Sequence, residues 1–413
     1  MKAQLLQWIE EDREKIIAFI QGFVRAASPN PPGDTLEAMA RVRALLDSES
    51  VAYDLRVKDE KMPNLVATTV FAENDKHLVL NGHIDVFPVE NAADWKSGPW
   101  SADIRDASIY GRGVADMKVG TTASILTYIY LQRLKESLKG KLTLTVVSDE
   151  ETLGPNGANH LFDKYEDEIT GTSCLNGEPS SQYTIRFGEK GAAWVRFSIN
   201  TPGGHGAYPQ RSPNAIDLAF NLIQDLREFT KFPFQEPPEY SAAMDAAVRA
   251  FDLANGDGAS KLARSILMNV GRITGGAKVN MIAAHCEFDA DFRLPNGVSV
   301  DALIRHIESL KARHDFSYDI FKINEPNWCE PNGELAELVR ANAREITGIE
   351  PANVIGMANT DARLWRYRGV PAVVYGPSPM GMGRADESVP IEEALNIIRV
   401  HVLSAYEYLA RAQ

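Results

Sequence analysis

Residues 141–151 read KLTLTVVSDEE, an apolar, β-branched run that ends in three consecutive acids. A continuous run of this kind, as opposed to an alternating one, marks a strand buried on both faces of a parallel sheet. Ligands in open α/β sheets gather at the carboxyl ends of the strands, so the run places Asp149, Glu150 and Glu151 at a functional edge. Three neighbouring carboxylates repel one another, and a metal ion between them would relieve the cost of their burial. The expected fold class is therefore α/β, a mostly parallel sheet flanked by helices.

Moving outward, expected strands at 51–57, 65–71 and 77–81 precede this run, and the last leads straight into Gly82-His83-Ile84-Asp85. His83 and Asp85 are two apart and point to one side of an extended chain. That spacing suits a metal-bound imidazole oriented by a carboxylate, although a strand-end histidine beside a helix cap would look the same. Asp116 follows in the glycine-rich stretch IYGRGVADMKVG at 109–120, ahead of a helix expected over 117–138, where it is either a ligand or an N-cap. A short strand at 173–176 then ends in Gly177-Glu178-Pro179. Four separate strand or loop ends thus each deliver a histidine or an acid.

From about residue 183 the texture changes, because GEKGAAWVRFSIN alternates and implies a sheet with one lightly covered face. A helix at 213–229, an acidic insertion-like segment near 233–260, strands at 265–273 and 285–293, a helix at 298–313 and a strand at 318–323 complete a smaller α+β unit. Buried-strand style then returns. The expected organisation is a catalytic domain of residues 1–182 and 325–413, interrupted by an inserted lid and dimerisation domain at 183–324.

Composition narrows the partners. At 413 residues two domains are the default, and 44% apolar residues describe a globular chain. The net charge of −13, with no basic block, argues against nucleic acid and anionic membranes. No apolar run is long enough for a membrane span and the N-terminal stretch lacks a signal-like core, so a cytoplasmic location is expected. Three widely spaced cysteines, Cys174, Cys286 and Cys329, form neither a disulfide framework nor a metal knuckle, so any cation must rely on His, Asp and Glu.

GHIDV (82–86), YGRGVADMK (110–118), SDEE (148–151), NGEPS (176–180), GGHGAYP (203–209) followed by PNAI (213–216), KVN (278–280), DFR (291–293) and NTDAR (359–363) run in a distinctive order. The chain in this respect resembles the co-catalytic zinc metallopeptidases and deacylases related to acetylornithine deacetylase, succinyl-diaminopimelate desuccinylase, aminoacylase and glutamate carboxypeptidase. The resemblance implies that His83 and Glu178 hold one metal, Asp116 bridges two and Glu151 holds the second, while Asp85 orients His83. It makes Glu150 the general base acting on metal-activated water. His205 becomes the residue that reaches across a homodimer to the substrate carbonyl, and Asn280 and Arg293 lie near a substrate carboxylate. The expected cofactor is a divalent metal, zinc first and manganese or cobalt after it, with one or two ions per chain.

Elementary chemistry agrees with these assignments. A bound cation stabilises an oxyanion and lowers the pKa of water, a nearby carboxylate serves as base, and no GxSxG elbow offers a serine route. A guanidinium grips a carboxylate bidentately, although Arg293 could equally be a structural ion pair. The resemblance is broken near the C-terminus. Where the family has a histidine three residues before an Asp-Glu pair, this chain has Gly383 before Asp386-Glu387. Those acids are expected to cap the last helix, and His401 is expected to pack within it. The expected function is metal-dependent hydrolysis of a C–N amide bond in a small carboxylate-bearing substrate, an N-acyl amino acid or small peptide. The alternatives are a one-metal aminohydrolase acting on a small aromatic amine and a non-catalytic, metal-stabilised binding protein.

Overall fold

A computed structural model of the chain describes residues 1–410. Its centre is a nine-stranded mixed sheet. The quoted run forms strand Lys139–Val147, whose last six residues are all buried. It lies between Asn64–Val70, antiparallel, and Ala72–His83, parallel. Ser173–Asn176 and Ala372–Val374 continue the sheet in parallel register, so the tips after Val147, His83 and Asn176 open on the same edge. Helix Val119–Arg133 is buried on nearly every side because it is sandwiched between this sheet and the last helix, Ile391–Ala410. The apolar positions of the N-terminal helices Lys2–Glu11 and Arg13–Arg25 join the same core.

The alternating segment builds a separate four-stranded antiparallel sheet in the order Leu267–Gly275, His285–Leu294, Gly191–Asn200, Ser317–Asn324. Buried and half-exposed residues alternate along Gly191–Asn200 and His285–Leu294, as a sheet with one covered face requires. Helices Ala215–Arg227 and Val300–Leu310 cover that face, closing a second apolar core around Phe197, Phe288 and Leu303.

Three local expectations are revised. The acidic segment near 233–260 is a regular helix, Pro238–Asn255, followed by the short helix Ala259–Ala263. Its Tyr240, Met244, Ala247 and Phe251 pack on Phe187, Val354 and Ile355 of the large sheet, which itself continues through Thr184–Glu189. The helix expected from 117 begins at Val119 instead, because Asp116 and Met117 take non-helical backbone angles within a wide turn at Val114–Lys118. Finally, Asp386 and Glu387 do not cap the last helix. Glu387 is buried and accepts from Arg112 Nη1 at 2.6 Å and from the Ala115 amide at 3.0 Å, so a buried cation and an orphan loop amide claim it first. The Asp386 carboxylate accepts from the Lys96 amide.

Candidate metal centre and active site

His83 closes its strand with the ring almost wholly buried. The Thr121 hydroxyl donates to its carbonyl at 2.6 Å. Its Nδ1 lies 2.8 Å from the Asp85 carbonyl and 3.5 Å from Asp85 Oδ1, which directs Nε2 outward. Nε2 lies 3.2 Å from both Asp116 Oδ1 and Glu178 Oε1. Burial opposes a charged imidazole, but the carboxylates of Glu178, Asp116 and Asp85 prevail and hold its pKa well above the ordinary value.

Asp85 is the keystone beneath this cluster. Its carboxylate accepts from Asn30 Nδ2 at 2.8 Å and from the amides of Glu150 and Glu151 at 3.2 and 3.1 Å. One fully buried carboxylate therefore ties the histidine strand to the acidic strand tip. The three acids at that tip then divide. Asp149 turns inward, accepting from Asn30, Thr152 and the Asn156 amide, and shapes the following turn. Glu150 and Glu151 face the cavity, and each keeps a buried carboxylate oxygen with no hydrogen-bond partner. Burial first and the neighbouring Glu178 second push Glu150 well above the usual carboxylate range; burial and Asp116 do the same to Glu151. Glu178, held by its amide on Asn176 Oδ1 at 2.8 Å, is pushed up to about 7 by burial and by Asp116.

Donor atoms of His83, Asp116 and Glu178 all lie within 4.8 Å of one another, and they are the group among the described residues with the spacing of a metal site. One imidazole and two carboxylates, buried and mutually repelling, form a donor set that a divalent cation fits. Glu151 is not part of that group but lines the same cavity.

The cavity holds about 410 Å³, and its lining includes the acids Asp116, Glu150, Glu151 and Glu178 together with Arg186, Trp194 and Arg293. Arg293 reaches it while pairing with Asp291 at 3.0 Å, so the structural ion pair is real and leaves the guanidinium at the cavity wall. His205 and Asn280 are neighbours elsewhere. They sit exposed where strand Gly204–His205 pairs with Met281–Ile282, with the Gly206 amide donating to the Asn280 carbonyl at 2.9 Å. Neither lines the cavity of its own chain.

Several residues here carried no assignment from the sequence. Arg363 donates to the Thr360 carbonyl at 2.7 Å and lies 4.0 Å from Glu150 and 3.7 Å from Asp361. Burial pushes Asp361 up to about 6. Behind them, Glu189 and Arg366 form a fully buried pair at 2.9 Å that also holds Thr360. The NTDAR motif was the available signal for this group. Arg112, which anchors Glu387, lay within YGRGVADMK, and nothing in the spacing singled it out.

Comparison with known proteins agrees with this geometry. The chain is 28% identical over 405 residues to a succinyl-diaminopimelate desuccinylase of Cereibacter sphaeroides, covering 94% of this chain and 98% of the relative. A desuccinylase of the same name from Nitrosomonas europaea is 26% identical and covers 78% of this chain and 81% of its own. In fold, the chain superposes with a TM-score of 0.79 on an M20 family metallo-carboxypeptidase of Sulfolobus solfataricus, covering 95% of this chain and 99% of that one at 18% identity. Human carnosine dipeptidase 1 gives a TM-score of 0.72 at 14% identity, with 98% and 100% covered. The model of peptidase family M20/M25/M40 matches residues 79–407, most of the chain. This protein is accordingly a member of peptidase family M20/M25/M40, a metal-dependent hydrolase of amide bonds.

Proposed function

We propose that the enzyme hydrolyses the amide bond of a small, carboxylate-bearing substrate, an N-acyl amino acid or short peptide, with Glu150 as general base. The observation that carries this reading is the unpartnered, buried Glu150 oxygen at the cavity, next to the His83–Asp116–Glu178 donor set. A cation held there would polarise the scissile carbonyl and make water acidic enough to be deprotonated near neutral pH. Glu150 takes the proton of the attacking water as the new C–O bond forms. It then delivers that proton to the amide nitrogen as the C–N bond breaks, releasing a carboxylate and an amine. Arg293 receives the substrate carboxylate, and Asp85 holds His83 and the Glu150 amide in register.

Zinc is the first candidate for the cation, since an imidazole with two carboxylates suits it, and manganese or cobalt follow. A one-ion enzyme is favoured by a specific observation: among the described residues the donor group found holds one imidazole, His83, and the position expected to supply another is Gly383. His401 is not a substitute, because it is buried and its Nε2 lies 2.6 Å from the Tyr375 carbonyl. The four-stranded antiparallel sheet and its two covering helices, within residues 183–324, act as a lid through which two copies pair, and the enzyme works in the cytoplasm.

The test is hydrolysis of a panel of N-acyl amino acids and dipeptides by the zinc-loaded enzyme and by Glu150→Gln. The expected outcome is a loss of about 10²–10⁴-fold in kcat with metal content unchanged. Full activity in the variant would remove the base assignment, and a wild-type enzyme inert on the whole panel would remove the substrate class.

A further inference from the structure

Four arginines are buried among the described residues: Arg112, Arg186, Arg363 and Arg366. Three have partners, Glu387 for Arg112, Glu189 for Arg366, and the Thr360 carbonyl with Asp361 for Arg363. Arg186 has no ion pair and no hydrogen bond to any described residue, although it is only 8% exposed. A buried guanidinium without a partner carries a large desolvation cost. Glu178, Glu189 and Asp116 attract it only from beyond ion-pair distance, and burial lowers its hold on its proton.

Its surroundings are built to keep it there. Arg186 projects from strand Thr184–Glu189, between Val354 and Val374 of the neighbouring strands, and reaches the cavity wall. Its stem passes Gly356, where a Cβ would lie 3.3 Å from Arg186 Cδ, so glycine leaves room for it. A second donor in the lining of the same cavity is also unused. The indole Nε1 of Trp194 is buried without a partner, and Trp194 lines the same cavity. These two idle donors, Arg293 and the metal donors Asp116 and Glu178 line one cavity and define what fits there.

We propose that Arg186, assisted by the Trp194 indole, is the receptor for a second anionic group of the substrate, so that the enzyme selects small dianionic molecules over mono-anionic ones. This rests on the amide-hydrolase reading only for the word substrate; the anion receptor is a binding property that can be measured separately. Arg293 takes one carboxylate and Arg186 the other, on either side of the bond to be cut. Planar guanidinium forks match carboxylates in two-point contact, which an ammonium does not reproduce.

The experiment titrates zinc-loaded wild type, Arg186→Met and Arg186→Lys calorimetrically with glutarate and with butyrate, which differ by one carboxylate. Hydrogen bonds to charged groups predict that wild type prefers glutarate by about 10-fold to 100-fold, that Arg186→Met reduces the preference to below about threefold, and that Arg186→Lys falls between them. Zinc content and melting temperature are expected to match wild type in both variants. An Arg186→Met protein that keeps the preference overturns the proposal. Should the variants fail to fold, a crystal structure of the wild-type enzyme with glutarate decides, a carboxylate on the Arg186 guanidinium supporting the receptor and glutarate bound elsewhere refuting it. A wild type that prefers glutarate but cleaves no acyl amino acid would refute the amide-hydrolase reading alone, whereas cleavage without the preference would refute the receptor alone.

Discussion

At the scale of single residues, what could be read in advance was whatever chemistry a side chain carries to a strand tip. His83, Glu150 and Glu178 stand at or just past such tips, and their convergence comes from parallel strands opening on one edge, while Asp116 joins them from the wide turn Val114–Lys118. What could not be read was which neighbour a buried charge meets. Glu387 looked like a helix cap because it precedes a helix; in the fold it braces the Asp116 loop through Arg112 and the Ala115 amide. Glu387→Ala would leave Arg112, which is only 4% exposed, without its countercharge and with only the Gly383 and Arg384 carbonyls as partners, and should cost about 3–5 kcal/mol in denaturant unfolding. The double variant with Arg112→Met should recover much of that loss, and an additive double variant would show that the two residues do not act as a pair. Gly383 argues differently. Its amide lies 3.4 Å from the same Glu387 carboxylate that accepts from Ala115, and open space surrounds the position of its missing Cβ. A histidine there has room, at a cost of roughly 1–2 kcal/mol for the left-handed backbone (φ 75°). The wild-type enzyme is expected to retain about one zinc per chain after gel filtration, and Gly383→His to retain about two. Two ions in the wild type would show that carboxylates alone complete a second site.

At the scale of elements, strand Ser173–Asn176 was legible to the residue because its short apolar run lies between polar turns. Helix Pro238–Asn255 was not, although Tyr240, Met244, Ala247 and Phe251 recur at helical spacing. Its exposed acids obscured that stripe, and the stripe faces the large sheet instead of the lid core. The last helix was read correctly as apolar around His401, and burying that imidazole has a consequence for stability. Burial lowers the His401 pKa to about 4, against an ordinary 6.5, so between these values the unfolded chain takes up a proton that the folded chain refuses. Stability is therefore lost as pH falls through that window and is unaffected by His401 above it, the total being about 3 kcal/mol for a shift of this size. His401→Gln, which can still donate to the Tyr375 carbonyl, should lose less stability than wild type between pH 6.5 and pH 4 in urea unfolding. Parallel curves for the two proteins would mean that His401 is not protonated on unfolding.

At the scale of the whole molecule, the division of labour between a buried-strand sheet and an alternating one was visible in the hydrophobic pattern, because burial on two faces and on one leaves different periods. The relation between a site and a second copy of the chain was not, since no pattern within one chain records a partner. The exposed two-stranded ladder that carries His205 makes the relation testable. His205 stands outside its own cavity among the exposed Tyr208, Val279 and Met281, apolar groups suited to being covered. If the lid of one protomer completes the site of the other, Glu150→Ala and His205→Ala are each inactive as pure dimers. A mixed dimer then contains one site with both residues intact and one site with neither. Random exchange makes half of the dimers mixed, so an equimolar mixture should regain about a quarter of wild-type activity. Dilution below the dimer dissociation constant should abolish that recovery, and light scattering should report a dimer wherever recovery is seen. A monomer at assay concentration, or a mixture no more active than its components, would place His205 outside the reaction.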